Sequence, residues 1–203
     1  MNPVTFLKSL CQRLTWLTTF FFIRILRSAK IIGPENTRDL NRPLLIIANH
    51  RSLWDPLLIG TLLPFFSSHF PLGFMVADIY YNSPLRPIFW LTNTYPAHKG
   101  EGLDVSLAAP RRIFKNRGGF VIFPAGKRQH LGRRRKPRRG AAALALSMPE
   151  LTILPIHLKT MGNGIKKSEV VVGRPFKLLE KTQSRDIDEV AEILNQEIFK
   201  LNS

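Results

Sequence analysis

The segment Leu44–Asp55, LLIIANHRSLWD, constrains the fold of this chain more than any other. Leu44, Leu45, Ile46 and Ile47 form an apolar run with the length and branching of a buried strand. The run empties into Asn49-His50, and Asp55-Pro56 then opens a second apolar series, Leu57, Leu58, Ile59, Leu62 and Leu63. Aspartate before proline ahead of such a series reads as an N-cap with proline in the first helical position. His50 thus closes a strand and Asp55 starts a helix. Residues five apart do not share a helix face, since each residue turns by about 100°, so the turn Arg51–Trp54 has to bring the two side chains together.

A neutral histidine takes a proton from a hydroxyl near neutral pH. A carboxylate on its other ring nitrogen fixes the tautomer and stabilises the imidazolium that forms. If the hydroxyl belongs to a substrate, no serine or cysteine nucleophile is needed. The pair alone leaves a second reading open: a buried histidine next to a capping aspartate.

Composition narrows the partners. Across 203 residues, Lys+Arg 30 against Asp+Glu 14 gives a net charge of +16. Such an excess calls for something anionic: a lipid surface, a phosphorylated substrate or nucleic acid. With 44% apolar residues the chain has enough material for one folded core rather than disorder. The single cysteine, Cys11, excludes an internal disulfide and a cysteine-based zinc site, and His69, His130 and His157 have no ligand-like spacing.

Residues 4–28 are rich in aromatic and aliphatic side chains, punctuated by Lys8, Arg13, Arg24 and Arg27. The uncharged stretch between Arg13 and Arg24 is about half of the ~20 residues needed to span a bilayer. No small-residue cleavage site follows it, which argues against a cleavable signal. The pattern predicts one or two helices in the membrane interface, with Trp16, Phe20, Phe21 and Phe22 turned to lipid and arginines such as Arg24 toward the headgroups. The expected organisation is a membrane-interface helical segment over 1–28 and one folded domain over 29–203.

Within that domain, strands are expected at Ala29–Gly33, Leu72–Ala77, Gly119–Phe123, Thr152–Leu158 and Glu169–Val172, with Asn93–Lys99 extended. Helical patterns cover Leu103–Lys115, with Pro110 arguing for a kink or a late start, Ala141–Met148 and Asp186–Leu201. The last two strands are separated by the turn Gly162-Asn163-Gly164. Strands alternating with helices imply an α/β sandwich with a central mixed sheet flanked by helices.

In order along the chain, these segments resemble the blocks of the glycerolipid acyltransferase superfamily, whose type member is lysophosphatidic acid acyltransferase. Asn49-His50 followed by four residues and Asp55 resembles the first block, and Tyr95-Pro96-Ala97-His98-Lys99 the second. Phe123-Pro124-Ala125-Gly126-Lys127-Arg128 resembles the third, usually Phe-Pro-Glu-Gly-Thr-Arg. Arg138-Arg139-Gly140-Ala141-Ala142 matches the basic loop before a Gly-Ala-Ala helix, and Leu154-Pro155-Ile156 the closing strand.

The resemblance implies acyl transfer with His50 as general base and Asp55 as its partner. The donor would be an acyl-CoA or acyl-carrier-protein thioester, the acceptor a lysolipid hydroxyl, with no metal or bound cofactor. Asn49, Lys99, Gly126, Lys127 and Arg128 would line the acceptor site, and 1-acyl-glycerol-3-phosphate would give phosphatidic acid. The chain would work as a monotopic protein on an anionic surface, the cytoplasmic face of an inner or endoplasmic membrane. Ala125 in place of glutamate, Lys127 in place of threonine and Lys99 in place of arginine leave room for another headgroup or a lyso-aminolipid. The basic run Lys127–Arg139 has no interleaved aromatic for base stacking, so lipid or donor phosphates are preferred over nucleic acid as its partner. A basic nucleic-acid-binding protein is the rival reading from another class.

Overall fold

The computed structural model describes residues 2–26, 30–128, 135–160 and 168–202. Its centre is β2 (Leu44–Ala48), buried at every position. β2 lies between β5 (Gly119–Ile122) and β6 (Thr152–Thr160), parallel to both. β7 (Ser168–Val172) pairs antiparallel with β6, and β1 (Lys30–Ile32) parallel with β7, giving the order β1-β7-β6-β2-β5. A parallel pair, β3 (Phe74–Val76) and β4 (Thr94–Pro96), continues this sheet beyond β5 through a parallel bridge between Gly73 and Phe120. Gly73 is required there: a Cβ would lie 2.2 Å from the Phe120 ring.

Alternation along the strands sends side chains into two cores. Leu45, Ile47, Phe120 and Ile153 pack under α5 (Leu103–Lys115), α6 (Gly140–Ser147) and α7 (Ile187–Phe199). Leu44, Ile46, Val121 and Leu154 face α2 (Asp55–Gly60) and Leu72. Two further short helices, α3 (Asp78–Tyr81) and α4 (Arg86–Leu91), link β3 to β4. The architecture is the expected α/β sandwich with a mixed sheet.

Two prolines sit inside elements. α5 runs unbroken from Leu103 with Pro110 buried within it, so the pattern did not start late. Pro155 occupies an interior strand, where proline normally breaks a ladder. Along β6, Ile153 donates its N–H to Phe176, and β7 pairing begins only at Ile156. By the alternation of the ladder, the missing N–H of Pro155 falls between those two partners. The turn at Gly162-Asn163-Gly164 lies outside the described residues.

α1 (Pro3–Leu26) is a single helix, and its docking departs from the expected orientation at Trp16, Phe20 and Arg13. Lys8, Ser9, Gln12 and Thr19 are buried, whereas Phe6, Leu14 and Phe21 are 56%, 56% and 53% exposed. Gln12 donates to the carbonyls of Leu72 and Thr92, both at 2.6 Å, and accepts from the Leu72 N–H at 2.8 Å. Arg13 donates to the carbonyls of Phe65 and Ser67. Trp16 donates to the Leu63 carbonyl at 3.1 Å, stacks on Phe20 and meets Phe65 edge-on. Thus Trp16 and Phe20, read as lipid-facing, are half-buried against the domain, while Phe21 does face outward. Loop carbonyls hold the polar side of the helix, and the aliphatic side is left outside. The side chains of Phe22 and Arg24 lie outside the described residues.

Lys8 completes this seam, donating to Asn93 Oδ1 at 3.2 Å and lying over the rings of Trp90 and Tyr95. Burial, and then the nearby Arg112 charge, holds its amine below the usual lysine value. Gln12→Ala is expected to destabilise the protein by about 2–3 kcal/mol, because buried Leu72 groups would lose their partner. Thermal unfolding, with proteolysis within α1 as the local readout, measures this.

Glu197 of α7 accepts from Lys181 and Lys200. Burial alone would raise its carboxyl, but the two ammonium groups outweigh that and hold it below the usual glutamate value. A depressed carboxylate contributes stability above the unfolded-state value of about 4.3 and loses it as pH falls through the lower folded value. Glu197→Gln is therefore expected to lower stability by about 1 kcal/mol at neutral pH and to flatten the loss of stability on acidification, read by denaturant unfolding across that range.

Candidate active site

β6, β2, β5, β3 and β4 all run in one direction, so their C-terminal ends form a single edge. Ligands of open α/β sheets bind at such edges. In lateral order this one carries His50 after β2, Phe123–Arg128 after β5, Asp78 after β3 and His98-Lys99 after β4.

His50 and Asp55 meet there. His50 Nδ1 lies 2.8 Å from Asp55 Oδ2. The same oxygen accepts the backbone N–H groups of Arg51, at 2.5 Å, and Ser52, at 2.8 Å. The Ser52 hydroxyl donates to Oδ1 at 2.7 Å. Asp55 is 4% exposed, and these donors compensate for taking its charge out of water. The expected N-cap is therefore not what forms: Trp54 is the N-cap and has no side-chain cap bond, while Asp55 is the first helical residue with its carboxylate turned back over the loop. A carboxylate aimed at the loop holds the turn Arg51–Trp54 closed and meets the imidazole in one step.

A carboxylate can only accept, so Nδ1 of the neutral imidazole carries the hydrogen and Nε2 keeps its lone pair. The ring lies on Phe123, centroids 4.3 Å apart and planes 23° from parallel. Two independent contacts thus fix its plane: one carboxylate at its edge and one aromatic face. Such an imidazole can take a proton from a hydroxyl and return it to a leaving group.

Asn49 is placed differently from expectation. Its amide donates to the Leu158 carbonyl at 2.9 Å and accepts the Leu158 N–H at 2.7 Å. Buried between β2 and β6, it pins the strand end from which His50 projects and is not presented to a ligand.

Gly126 sits at φ +63, and a Cβ there would lie 2.4 Å from Arg138 Nε. A side chain there would be strained by the backbone conformation and would push the Arg138 side chain aside. The Gly126 N–H closes a turn on the Phe123 carbonyl, and the Arg138 N–H donates to Pro124, strapping the start of the Ala-rich helix to this loop. Ala125 is buried, while Lys127 and Arg128 are exposed on the loop that leaves the edge. Residues 129–134, which include His130, Arg133 and Arg134 of the basic run, lie outside the described residues.

Lys99 is exposed at the far end of the same edge, three strand spacings or about 14 Å from β2. Asp78 holds its loop, accepting the backbone N–H of His98 at 2.8 Å and of Lys99 at 3.0 Å. The Lys99 N–H, and then that of His98, keeps the Asp78 carboxyl below its ordinary value. Sequence reasoning missed Ser52, Asp78 and Arg138 in these roles. Asp78 and Arg138 act through main-chain groups and Ser52 through a hydroxyl bond to Asp55 inside the turn, none of which leaves a residue pattern to read.

The acyltransferase family model matches residues 28–159, nearly two thirds of the chain. This chain is an acyltransferase. The matched span covers β1 through β6, including the His50–Asp55 pair and the Phe123–Arg128 loop. Among solved structures, the acyltransferase is similar to the 1-acyl-sn-glycerophosphate (LPA) acyltransferase PlsC from Thermotoga maritima, with a TM-score of 0.63. The likeness covers 91% of this chain and 78% of that one at 18% identity, and establishes a shared fold. None of the curated proteins matches this acyltransferase.

Proposed function

We propose that this acyltransferase moves a fatty acyl group from an acyl-CoA or acyl-carrier-protein thioester to the free hydroxyl of a lysolipid at an anionic membrane surface. The 2.8 Å contact between His50 and Asp55, at an edge that also carries Lys99, Lys127 and Arg128, is the observation that carries this reading. His50 Nε2 takes the acceptor's hydroxyl proton as that oxygen attacks the thioester carbonyl. The carbon–sulfur bond then breaks, and the imidazolium returns the proton to the leaving thiolate. Asp55 stabilises the positive ring in between. The products are a diacyl lipid and a free thiol, with no atom or electron unaccounted for.

The leading acceptor is 1-acyl-glycerol-3-phosphate, giving phosphatidic acid, with Lys99, Lys127 and Arg128 paired to its phosphate. Ala125 favours a second reading: without the glutamate of the family pattern, the loop bears only positive charge, which suits other anionic headgroups equally well. The outward apolar side of α1 and the net charge of +16 support work at an anionic membrane surface such as a cytoplasmic leaflet. Among the described residues, no helix is long and apolar enough to cross a membrane.

The test is to incubate the purified protein with labelled acyl-CoA and lysolipids differing only in headgroup, and to identify products by mass. Phosphatidic acid as the dominant product supports the leading acceptor. A dominant product with another headgroup supports the second reading. No acylated lipid from any acceptor, with acyl-carrier-protein thioester also tried, overturns both.

A further inference from the structure

We infer that the bilayer contact does not end at α1 but continues across α4 and α3 to the rim of the His50–Asp55 pair, so that an apolar lip beside the reaction centre enters the anionic leaflet. This inference rests on the membrane-surface reading above. α4 packs directly against α1, and α3 against α4. Their outward side chains continue the aliphatic side of α1: Trp90, Ile88 and Leu85 on and beside α4, then Tyr80 and Ile79 on α3. Ile79 is 78% exposed and adjoins Asp78, which holds the Lys99 loop. Leu53, 68% exposed, stands in the turn between His50 and Asp55 themselves.

A run of large exposed apolar side chains leading to a catalytic rim is costly to leave in water and signals an interaction surface. The occupant is identified by charge. The same edge presents Lys99, Lys127 and Arg128, all exposed. Apolar tips flanked by long cationic side chains suit the boundary between acyl chains and anionic headgroups, where the tips enter hydrocarbon and the cations reach phosphate. A lysolipid would then reach His50 by lateral movement within the leaflet, without leaving it for water.

The experiment attaches an environment-sensitive fluorophore to the full chain at one introduced cysteine, in a Cys11→Ser background. Ile79→Cys reports the lip. Asn116→Cys, exposed just ahead of β5, reports the opposite edge of the sheet. Vesicles of phosphatidylglycerol and phosphatidylcholine, with and without brominated acyl chains, are added. The expected result is a blue shift at position 79, quenched by brominated lipid, and no response at position 116. Co-sedimentation with vesicles without a response at 79 overturns the lip and leaves the α1 contact standing. A response at 116 equal to that at 79 also overturns it, and failure to bind vesicles overturns the membrane reading together with it. Ile79→Ser, which removes one exposed side chain, is expected to weaken vesicle partitioning roughly tenfold. Unchanged partitioning contradicts the inference.

Discussion

Replacing His50 by alanine is expected to lower kcat by about 10²–10⁴-fold, the range a positioned general base supplies. The loss falls on kcat because the imidazole acts on a proton in flight and carries little of the binding of either substrate. The fold should survive. His50 follows a strand that Asn49 pins to Leu158. The structural losses are its stacking on Phe123, worth about 1 kcal/mol, and one of the four donors to Asp55, which keeps the other three. Unchanged circular dichroism and vesicle binding, together with initial rates at saturating donor and acceptor, separate lost chemistry from lost folding. Turnover within a few-fold of the natural chain would mean that the proton goes elsewhere.

Asp55→Asn is expected to cost about 10³-fold in kcat while leaving the loop in place, for a reason specific to this site. One oxygen of Asp55 accepts three donors, the Arg51 and Ser52 N–H groups and His50 Nδ1. In asparagine the amide oxygen takes that position, because turning the amide over would set its NH₂ against two backbone donors. Imidazole orientation and tautomer are therefore kept, and what disappears is the negative charge that stabilises the imidazolium. Asp55→Ala removes the turn's acceptor as well, so it should lose stability in addition to rate. Comparing the two variants by thermal unfolding and kcat separates charge from scaffolding. Equal activity of Asp55→Asn and the natural chain would show that the carboxylate is not part of the proton transfer.

Local patterns carried the parts of this protein that are local. The apolar run Leu44–Ile47, the following turn and the helix after Pro56 announce a strand–loop–helix, and the sheet is built around that strand. The pairing of His50 with Asp55 was legible because both belong to one turn. What escaped notice depends on partners distant in the chain. Asn49 reads as a site residue until Leu158, 109 residues away, takes up its amide. The orientation of α1 follows from carbonyls at Leu63, Phe65, Leu72 and Thr92, which no periodicity within residues 4–28 can reveal. Asp55 looked like a cap because aspartate before proline usually caps. Here three donors upstream outcompete the free N–H groups of the first helical turn.

The proposal that one imidazole moves a proton from a lipid alcohol to a departing thiolate is tested most directly by acceptor-dependent thiol release. The protein is mixed with acyl-CoA, with and without lysolipid, and free thiol is followed alongside ester formation in the natural chain and in His50→Ala. The expected result is thiol and ester appearing one for one, only when the acceptor hydroxyl is present, and both nearly abolished in His50→Ala. Thiol released by His50→Ala as fast as by the natural chain would contradict the account.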